Sequence, residues 1–234
     1  MADVGANSEN PDALDYLRDI ALPFAQAHGL KLTITQRVRR GKPLTLREYL
    51  MEDNRSITIP ARLSSGAPGN RKCTVEFKVQ VIARYIRKTY GVKQYTIGLG
   101  ISMNEIGRVR SGPSIVGSAT QELYYPLINL RKSLNDCVAI ILAAGLPVPP
   151  KSSCYFCPYH RPAYWVELKE DRPDLFEKAV EIEKRLIEKR AGFSDAHNDA
   201  VYLHPALIPL ELATGAQTNF FDELENCESG YCMV

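Results

Sequence analysis

Two cysteines, Cys154 and Cys157, stand three positions apart in the run Lys151-Ser-Ser-Cys-Tyr-Phe-Cys-Pro158. Two thiolates at this spacing can bind one metal ion or part of an iron–sulfur cluster. The same spacing is found in redox dithiols and in pairs of unrelated thiols. A redox dithiol usually opens a helix directly after a strand, whereas the preceding run Leu146-Pro-Val-Pro-Pro150 is stiff and extended. The pattern therefore favours a metal or cluster site.

Two thiolates rarely complete such a site, because zinc usually takes four ligands and a four-iron cluster three or four cysteines. The candidates for further ligands are Cys73, His160, Cys227 and Cys232. A histidine at this position more often acts as a hydrogen-bonding partner than as a ligand. Cys137 lies in an apolar run that predicts a buried helix, where cysteine packs as a small hydrophobic residue.

The composition predicts a globular protein without a membrane partner. With 234 residues, 45% of them hydrophobic, the chain can bury the core of one large domain or of a domain with an appendage. No apolar run approaches the roughly 18 residues that span a bilayer, and the first residues lack a secretory pattern. Six cysteines are too sparse for a disulfide scaffold. We expect a cytoplasmic location.

Charge is distributed unevenly along the chain, although the net charge is only +2. Residues 31–93 carry 15 Lys or Arg against 4 Asp or Glu, a surplus of 11 positive charges. Residues 167–234 carry 7 against 15, a surplus of 8 negative charges. The basic block favours an anionic partner such as a nucleotide, a phosphosulfate or a nucleic-acid backbone. A solvated face balanced by the acidic tail is the alternative.

Helical and strand patterns alternate along the chain. Asn10, Pro11 and Gly29 predict a first helix from about residue 11 to 28, and Thr74 predicts the cap of another that ends before Gly91. The other predicted helices cover about 44–51, 133–144, 162–170 and 173–190, and the predicted strands cover 30–35 and 95–101. This alternation indicates an α/β protein with a mostly parallel sheet, in which ligands bind at the carboxyl ends of the strands.

Several separated segments match one family pattern. They are Asp3-Val-Gly-Ala-Asn-Ser-Glu9, Arg71-Lys-Cys-Thr with Lys78, Ile97-Gly-Leu-Gly-Ile with Glu105 and Arg108, Tyr125-Pro-Leu127, and Ser153-Cys-Tyr-Phe-Cys-Pro158 with Trp165. Together they resemble the phosphoadenosine phosphosulfate reductase-like family of the adenine nucleotide alpha-hydrolase (PP-loop) superfamily, from residue 1 to about 190. The resemblance implies a nucleotide-binding α/β domain over residues 1–160, with a mostly parallel sheet flanked by helices, and a helical carboxyl-terminal region over 161–234.

The resemblance also implies the nucleotide site and the chemistry. An adenine nucleotide, either ATP or adenylylated sulfate, would lie near Asp3 and Gly5, with Gly98, Glu105 and Arg108 facing its sugar and phosphates. A surface ion pair is the alternative role for Glu105 and Arg108. Members of the family reduce adenylylated sulfate, or activate a base or nucleic acid for sulfur insertion. No catalytic residue is assigned.

For the cofactor, the resemblance implies a four-iron (4Fe–4S) cluster bound by Cys73, Cys154 and Cys157. Thr74 stands where reductases of the family have the second cysteine of a pair, so three thiolates remain. Cys227 or Cys232 would complete four ligands and close the centre, and zinc is the alternative metal.

The resemblance further implies that the first strand and helix of the fold, with their pyrophosphate-binding loop, are missing ahead of Met1. Either the true start lies upstream, or another chain fills the gap, or the protein is a degenerate relative. We then expect exposed strand edges and apolar faces, which a second chain could cover. The leading hypothesis is nucleotide-dependent sulfur transfer or reduction. The alternatives are a non-catalytic, zinc-stapled module that binds nucleic acid, and a metal-free dithiol oxidoreductase.

Overall fold

The computed structural model describes residues 1–110, 112, 114–116, 119–192 and 200–213. The α-helices of this described part are α1 (Pro11–Tyr16), α2 (Leu22–Ala27), α3 (Leu46–Met51), α4 (Lys72–Thr74), α5 (Gln80–Tyr90), α6 (Pro126–Asn129), α7 (Leu134–Ala143), α8 (Pro162–Asp171) and α9 (Pro173–Ala191). Two π-helical turns, Leu17–Ala21 and Val75–Val79, make α1 continuous with α2 and α4 continuous with α5. Short 3-10 helices cover Met103–Arg108 and Leu210–Leu212.

The strands are short. They are β1 (Ala2–Asp3), β2 (Thr35–Gln36), β3 (Val38–Arg39), β4 (Lys42–Pro43), β5 (Arg62–Leu63), β6 (Gln94–Gly98), β7 (Ser114–Val116), β8 (Ala119–Tyr124) and β9 (Val201–Tyr202). β1 pairs with β2 and β6 pairs with β8 in parallel, whereas β3–β4, β5–β9 and β7–β8 are antiparallel. The chain is therefore a mixed α/β protein, which confirms the broad predicted class. The described strands form four small sheets, so the mostly parallel sheet stays a prediction.

Most predicted helices form because their ends carry the expected capping groups. Ser133 and Asp136 make reciprocal side-chain to backbone hydrogen bonds at the start of α7. Gly91 ends α5 in the left-handed conformation with φ of 70°, which glycine adopts without strain. Proline occupies the first turn of α1, α8 and α9, where its missing N–H is not needed.

Two local predictions are wrong. Thr74 lies inside a helix that already begins at Lys72, because the Cys73 amide donates to the Thr58 carbonyl (2.9 Å) and supports an extra turn. The strand predicted over 30–35 is reduced to Thr35–Gln36, since only β1 lies beside it and β1 is two residues long. Both outcomes depend on tertiary partners that the local pattern does not contain.

The hydrophobic core lies mainly around α3, α8 and α9. Its fully buried large side chains include Leu46, Leu50, Phe77, Phe156, Trp165, Ile182, Leu186, Leu203 and Leu210. These residues come from both sides of residue 160, so the helices α8 and α9 share one core with the preceding segments. No helix in the described ranges is both long and apolar enough to cross a bilayer.

The parallel pair β6–β8 and helix α7 contribute little to this core. α7 buries none of its side chains, and Leu134, Ile140 and Leu142 are each at least half exposed. The prediction that Cys137 sits in a buried helix is therefore wrong: α7 is apolar but lies at the surface. β6 has no buried residue either, although parallel strands are normally covered on both faces. Apolar surface is therefore exposed at α7.

Candidate functional site

The loop that carries Cys154 and Cys157 is a pair of consecutive tight turns. The Cys157 amide donates to the Cys154 carbonyl (3.0 Å), and the His160 amide donates to the Cys157 carbonyl (3.1 Å). Both thiols are free and partly buried. These turns fold the backbone back on itself, which brings the two cysteines close together on one loop.

A cluster of three aromatic rings, those of His160, Tyr164 and Trp165, supports this loop. The His160 ring stacks on Tyr164 with 3.5 Å between ring centroids, and Trp165 packs edge-on against both rings. His160 Nε2 donates to the Cys154 carbonyl oxygen (2.9 Å), since that oxygen can only accept. Burial lowers the pKa of His160 to about 3, so the ring is neutral. His160 thus supports the loop as a hydrogen-bond donor, and its Nε2 is not free for a metal.

Tyr164 on α8 connects that helix to the cysteine loop. Burial raises the pKa of Tyr164, and the neighbouring Cys157 and Cys154 add to the rise. Its hydroxyl donates to the Tyr155 carbonyl (3.1 Å). This hydrogen bond ties the α8 helix to the cysteine loop.

The segment after β1 also holds the cysteine loop, through backbone hydrogen bonds. Glu9 and Cys154 form an antiparallel bridge, the Asn10 amide donates to the Ser153 carbonyl (2.9 Å), and the Tyr155 amide donates to the Ser8 carbonyl (3.2 Å). This segment starts at the carboxyl end of β1. The cysteine loop is therefore attached to the end of a parallel strand, which is where α/β proteins bind ligands.

Asp3 and Gly5, predicted to lie near a nucleotide, form a local turn at this place. The Gly5 amide donates to the Asp3 carboxylate (2.7 Å), and the Ser8 and Glu9 amides donate to the Gly5 carbonyl (2.8 and 3.1 Å). Gly5 has a φ of 106°, and a Cβ there would stand 2.3 Å from Cγ2 of Thr45. Gly5 is thus required by the turn and by its close approach to α3.

Cys73 lies on a segment that adjoins the cysteine loop. The Arg71 guanidinium packs over the Tyr159 ring, 5.4 Å from its centroid, and joins the start of α4 to the residues after Cys157. Burial raises the pKa of the Cys73 thiol, and the positive charges of Arg71 and Lys78 oppose the rise. The third candidate thiol is therefore on the neighbouring segment, with cationic groups beside it.

Among the described residues, no three His, Cys, Asp or Glu side chains come together closely enough to hold a metal ion. Cys154 and Cys157 share one loop, and Cys73 does not join them in a three-residue group that could bind a metal ion. Cys227 and Cys232, the candidate fourth ligands, lie outside the described residues. The donor chemistry of the loop fits zinc or an iron–sulfur cluster, because thiolates suit both.

Sequence reasoning assigned no role to Glu9, which the fold places beside the cysteine loop, or to Lys78. Glu9 is 6% exposed, and burial raises the pKa of its carboxyl while Lys78 and Ser152 oppose the rise. The positive charge of Lys78 also opposes the rise in the pKa of Cys73. The only sequence signal for this arrangement is that both residues belong to the segments that carry the family resemblance.

Gly98, Glu105 and Arg108 lie at the carboxyl end of β6, the second parallel strand. Glu105 and Arg108 form an ion pair, with their side chains 13% and 10% exposed. The Ser102 amide also donates to Glu105 (3.3 Å), which starts the 3-10 helix. The pair is thus more buried than a surface helix pair, and Glu105 has a local structural role.

Comparison with protein-family models, with curated proteins and with solved structures finds no match to this chain.

Proposed function

We propose that this chain is a phosphoadenosine phosphosulfate reductase-like protein that carries out nucleotide-dependent sulfur transfer or reduction at a cysteine-bound centre. The observation that carries the proposal is the attachment of the Cys154–Cys157 loop to the segment that leaves the carboxyl end of β1. A ligand bound at that strand end would lie beside the two thiols. This is the arrangement that a reaction between a nucleotide-activated substrate and a thiolate-bound sulfur requires.

The proposed cofactor is an iron–sulfur cluster (4Fe–4S), with zinc as the alternative. Cys154 and Cys157 would hold it, Cys73 would approach from the adjoining segment, and Cys227 or Cys232 would supply a fourth thiolate. Bound there, a cluster would supply redox-active iron and sulfur beside the nucleotide. Tyr164 and His160 keep the loop in place and exclude water from its inner side.

The proposed nucleotide is ATP or adenylylated sulfate. It would lie between the ends of β1 and β6, near Asp3, Gly5 and Gly98. We propose Lys78 as the cation that would offset the phosphate or sulfate charge, because its positive charge already acts on the buried Glu9 and Cys73. Arg108 would reach the ligand only if its pair with Glu105 opened or was shared.

We also propose that further polypeptide, such as a second chain, completes the sheet. β1 and β6 each pair with one parallel neighbour among the described strands. One strand between them would pair with both open edges and would join the two pairs into the mostly parallel sheet of the adenine nucleotide alpha-hydrolase fold. A helix attached to that strand would cover apolar side chains such as those of α7.

Anaerobic purification followed by iron, sulfide and zinc analysis tests the centre. We expect a brown protein whose iron and sulfide are lost in Cys154→Ala and Cys157→Ala, because these thiols are the inner part of the site. Cys137→Ala is the matched control, since Cys137 lies on the surface helix α7, and it should keep the colour. Colourless protein loaded with zinc through the same cysteines would support the zinc alternative. Protein that binds neither metal would refute the proposed centre.

A non-catalytic module that binds nucleic acid is the second candidate function. It is favoured by one specific feature, a cationic hairpin formed by β3 and β4, and that feature also allows a direct test.

A further inference from the structure

The β3–β4 hairpin places three cations around a two-residue turn. Its register pairs Val38 with Pro43 and Arg39 with Lys42, so that Arg40 and Gly41 form the turn. Both turn residues have positive φ, 52° for Arg40 and 77° for Gly41. This geometry matches the twist of a hairpin and suits Gly41, but a residue with a side chain such as Arg40 is strained there.

A second local cost arises from charge. Arg39 and Lys42 are directly opposite each other across the hairpin, and like charges in this position destabilise the pairing. Glu52 offsets Arg39 by an ion pair. Arg40 and Lys42 are exposed and form no ion pair with any residue in the described ranges. Local strain and unbalanced charge at one place are typical of a functional element.

The base of the hairpin is rigid. The Leu44 amide donates to the Arg37 carbonyl (2.8 Å), and the Leu44 side chain is buried in the core. The Arg37 guanidinium packs over the rings of Tyr49 and Phe77, 5.0 and 4.5 Å from their centroids, and pairs with Glu76 (2.8 Å). The turn therefore projects its cations from a fixed support.

The space beside the hairpin is open and basic. A cavity of about 600 Å³ lies between the hairpin and α3, and its charged lining residues are Arg39, Arg40, Lys42 and Arg47 together with Glu48 and Glu52. The cations outnumber the carboxylates, although Arg47 is paired with Glu181. The turn carries no large apolar side chain that could insert into a lipid surface. The cations line an exposed projection instead of an enclosed pocket, which suits an extended polyanion better than a single nucleotide.

We propose that the β3–β4 hairpin binds the phosphodiester backbone of nucleic acid through Arg40 and Lys42, with Arg39 and Arg47 alongside. The hairpin lies in the block with a surplus of 11 positive charges, which would attract the same partner from a distance. This binding needs neither a metal nor a nucleotide and so goes beyond the proposed sulfur chemistry.

The double variant Arg40→Asn with Lys42→Gln tests the proposal. Asn-Gly is the preferred pair for this turn, so the variant removes two charges and keeps the hairpin. Fluorescence anisotropy with a labelled DNA duplex and a labelled single-stranded RNA, across about 50 to 200 mM salt, measures the affinity and its salt dependence. We expect about tenfold weaker binding and a salt slope reduced by about 1.8 for the duplex or about 1.4 for the RNA.

Lys178→Ala with Lys184→Ala is the matched control, because it removes two exposed charges from α9 and should leave the affinity unchanged. Cys154→Ala should also bind normally, which separates this inference from the proposed metal centre. The proposal is overturned if the hairpin variant binds as tightly as the original protein, if the control weakens binding equally, or if only anionic phosphatidylserine vesicles bind to the hairpin.

Discussion

Glu183 and His204, two buried polar side chains beside α9, are each held by backbone amides. Glu183 on α9 is 2% exposed, and its carboxylate accepts from the amides of Leu203 and Leu210, both at 2.8 Å. His204, also buried, accepts the Ala206 amide at its Nδ1 (3.1 Å). These contacts fix the chain after β9 against α9, and the contact of His204 requires an unprotonated Nδ1.

His204 should make the protein less stable in mild acid. Burial, with a smaller effect from the charge of Arg62, lowers the pKa of His204 from 6.5 to about 4. The unfolded chain therefore binds a proton at a pH where the folded chain does not. Stability from this group is complete above about pH 6.5 and falls by up to about 1.4 kcal/mol per unit as pH decreases towards 4.

Urea unfolding at pH 7 and pH 5 checks this expectation. His204→Asn keeps an acceptor for the Ala206 amide without a titrating group, so its loss between the two pH values should be about 2 kcal/mol smaller. His28→Asn, at an exposed position after α2, should behave like the original protein. An unchanged pH dependence in His204→Asn would contradict the assignment.

At the scale of elements, the position of each helix depends on how its ends are fixed. Thr45 caps α3 by accepting the Glu48 amide, while the Glu48 side chain accepts the Thr45 amide (3.1 and 2.9 Å). Gly5 packs directly on Thr45 and so sets the distance between the turn after β1 and α3. The same turn leads to residues 8–10, which bond to the cysteine loop, so a substitution at Gly5 should also disturb the candidate site.

Gly5→Ala should therefore destabilise the protein strongly. A new Cβ would clash with Thr45, which cannot move without breaking the cap of α3, and φ of 106° adds strain. We expect a loss of about 2 to 4 kcal/mol in the free energy of unfolding. Gly29→Ala is the control, because its φ is also positive but no atom lies within 4 Å of the new Cβ, and it should lose about 1 kcal/mol. Equal losses in the two variants would show that the close approach is unimportant.

At the scale of the whole molecule, the core and the apolar surface are in different places. The core gathers α3, α8, α9 and the cysteine loop, whereas α7 and the β6–β8 pair leave apolar side chains exposed. Exposed apolar surface of this kind is typical of an interface. It is consistent with our proposal that further polypeptide completes the sheet.

Ile140→Gln with Leu142→Gln on α7 tests whether this surface is open in the isolated chain. Both side chains are more than half exposed, so we expect the free energy of unfolding to change by less than about 0.5 kcal/mol. Binding of a hydrophobic dye should decrease at the same time. Ile182→Gln, at a fully buried position of α9, is the contrasting variant and should be strongly destabilised. A large loss of stability in the α7 variant would mean that α7 is already packed.

The sequence by itself determined most of the longer helices, because caps, prolines, glycines and apolar periodicity act within a few residues. It indicated an α/β chain, a cationic block and apolar faces without cover. Only the tertiary structure decided that the helix carrying Cys73 begins at Lys72, that Glu9 adjoins the cysteine loop, and that α7 lies at the surface. These features depend on contacts between segments far apart in the chain, which no local pattern encodes.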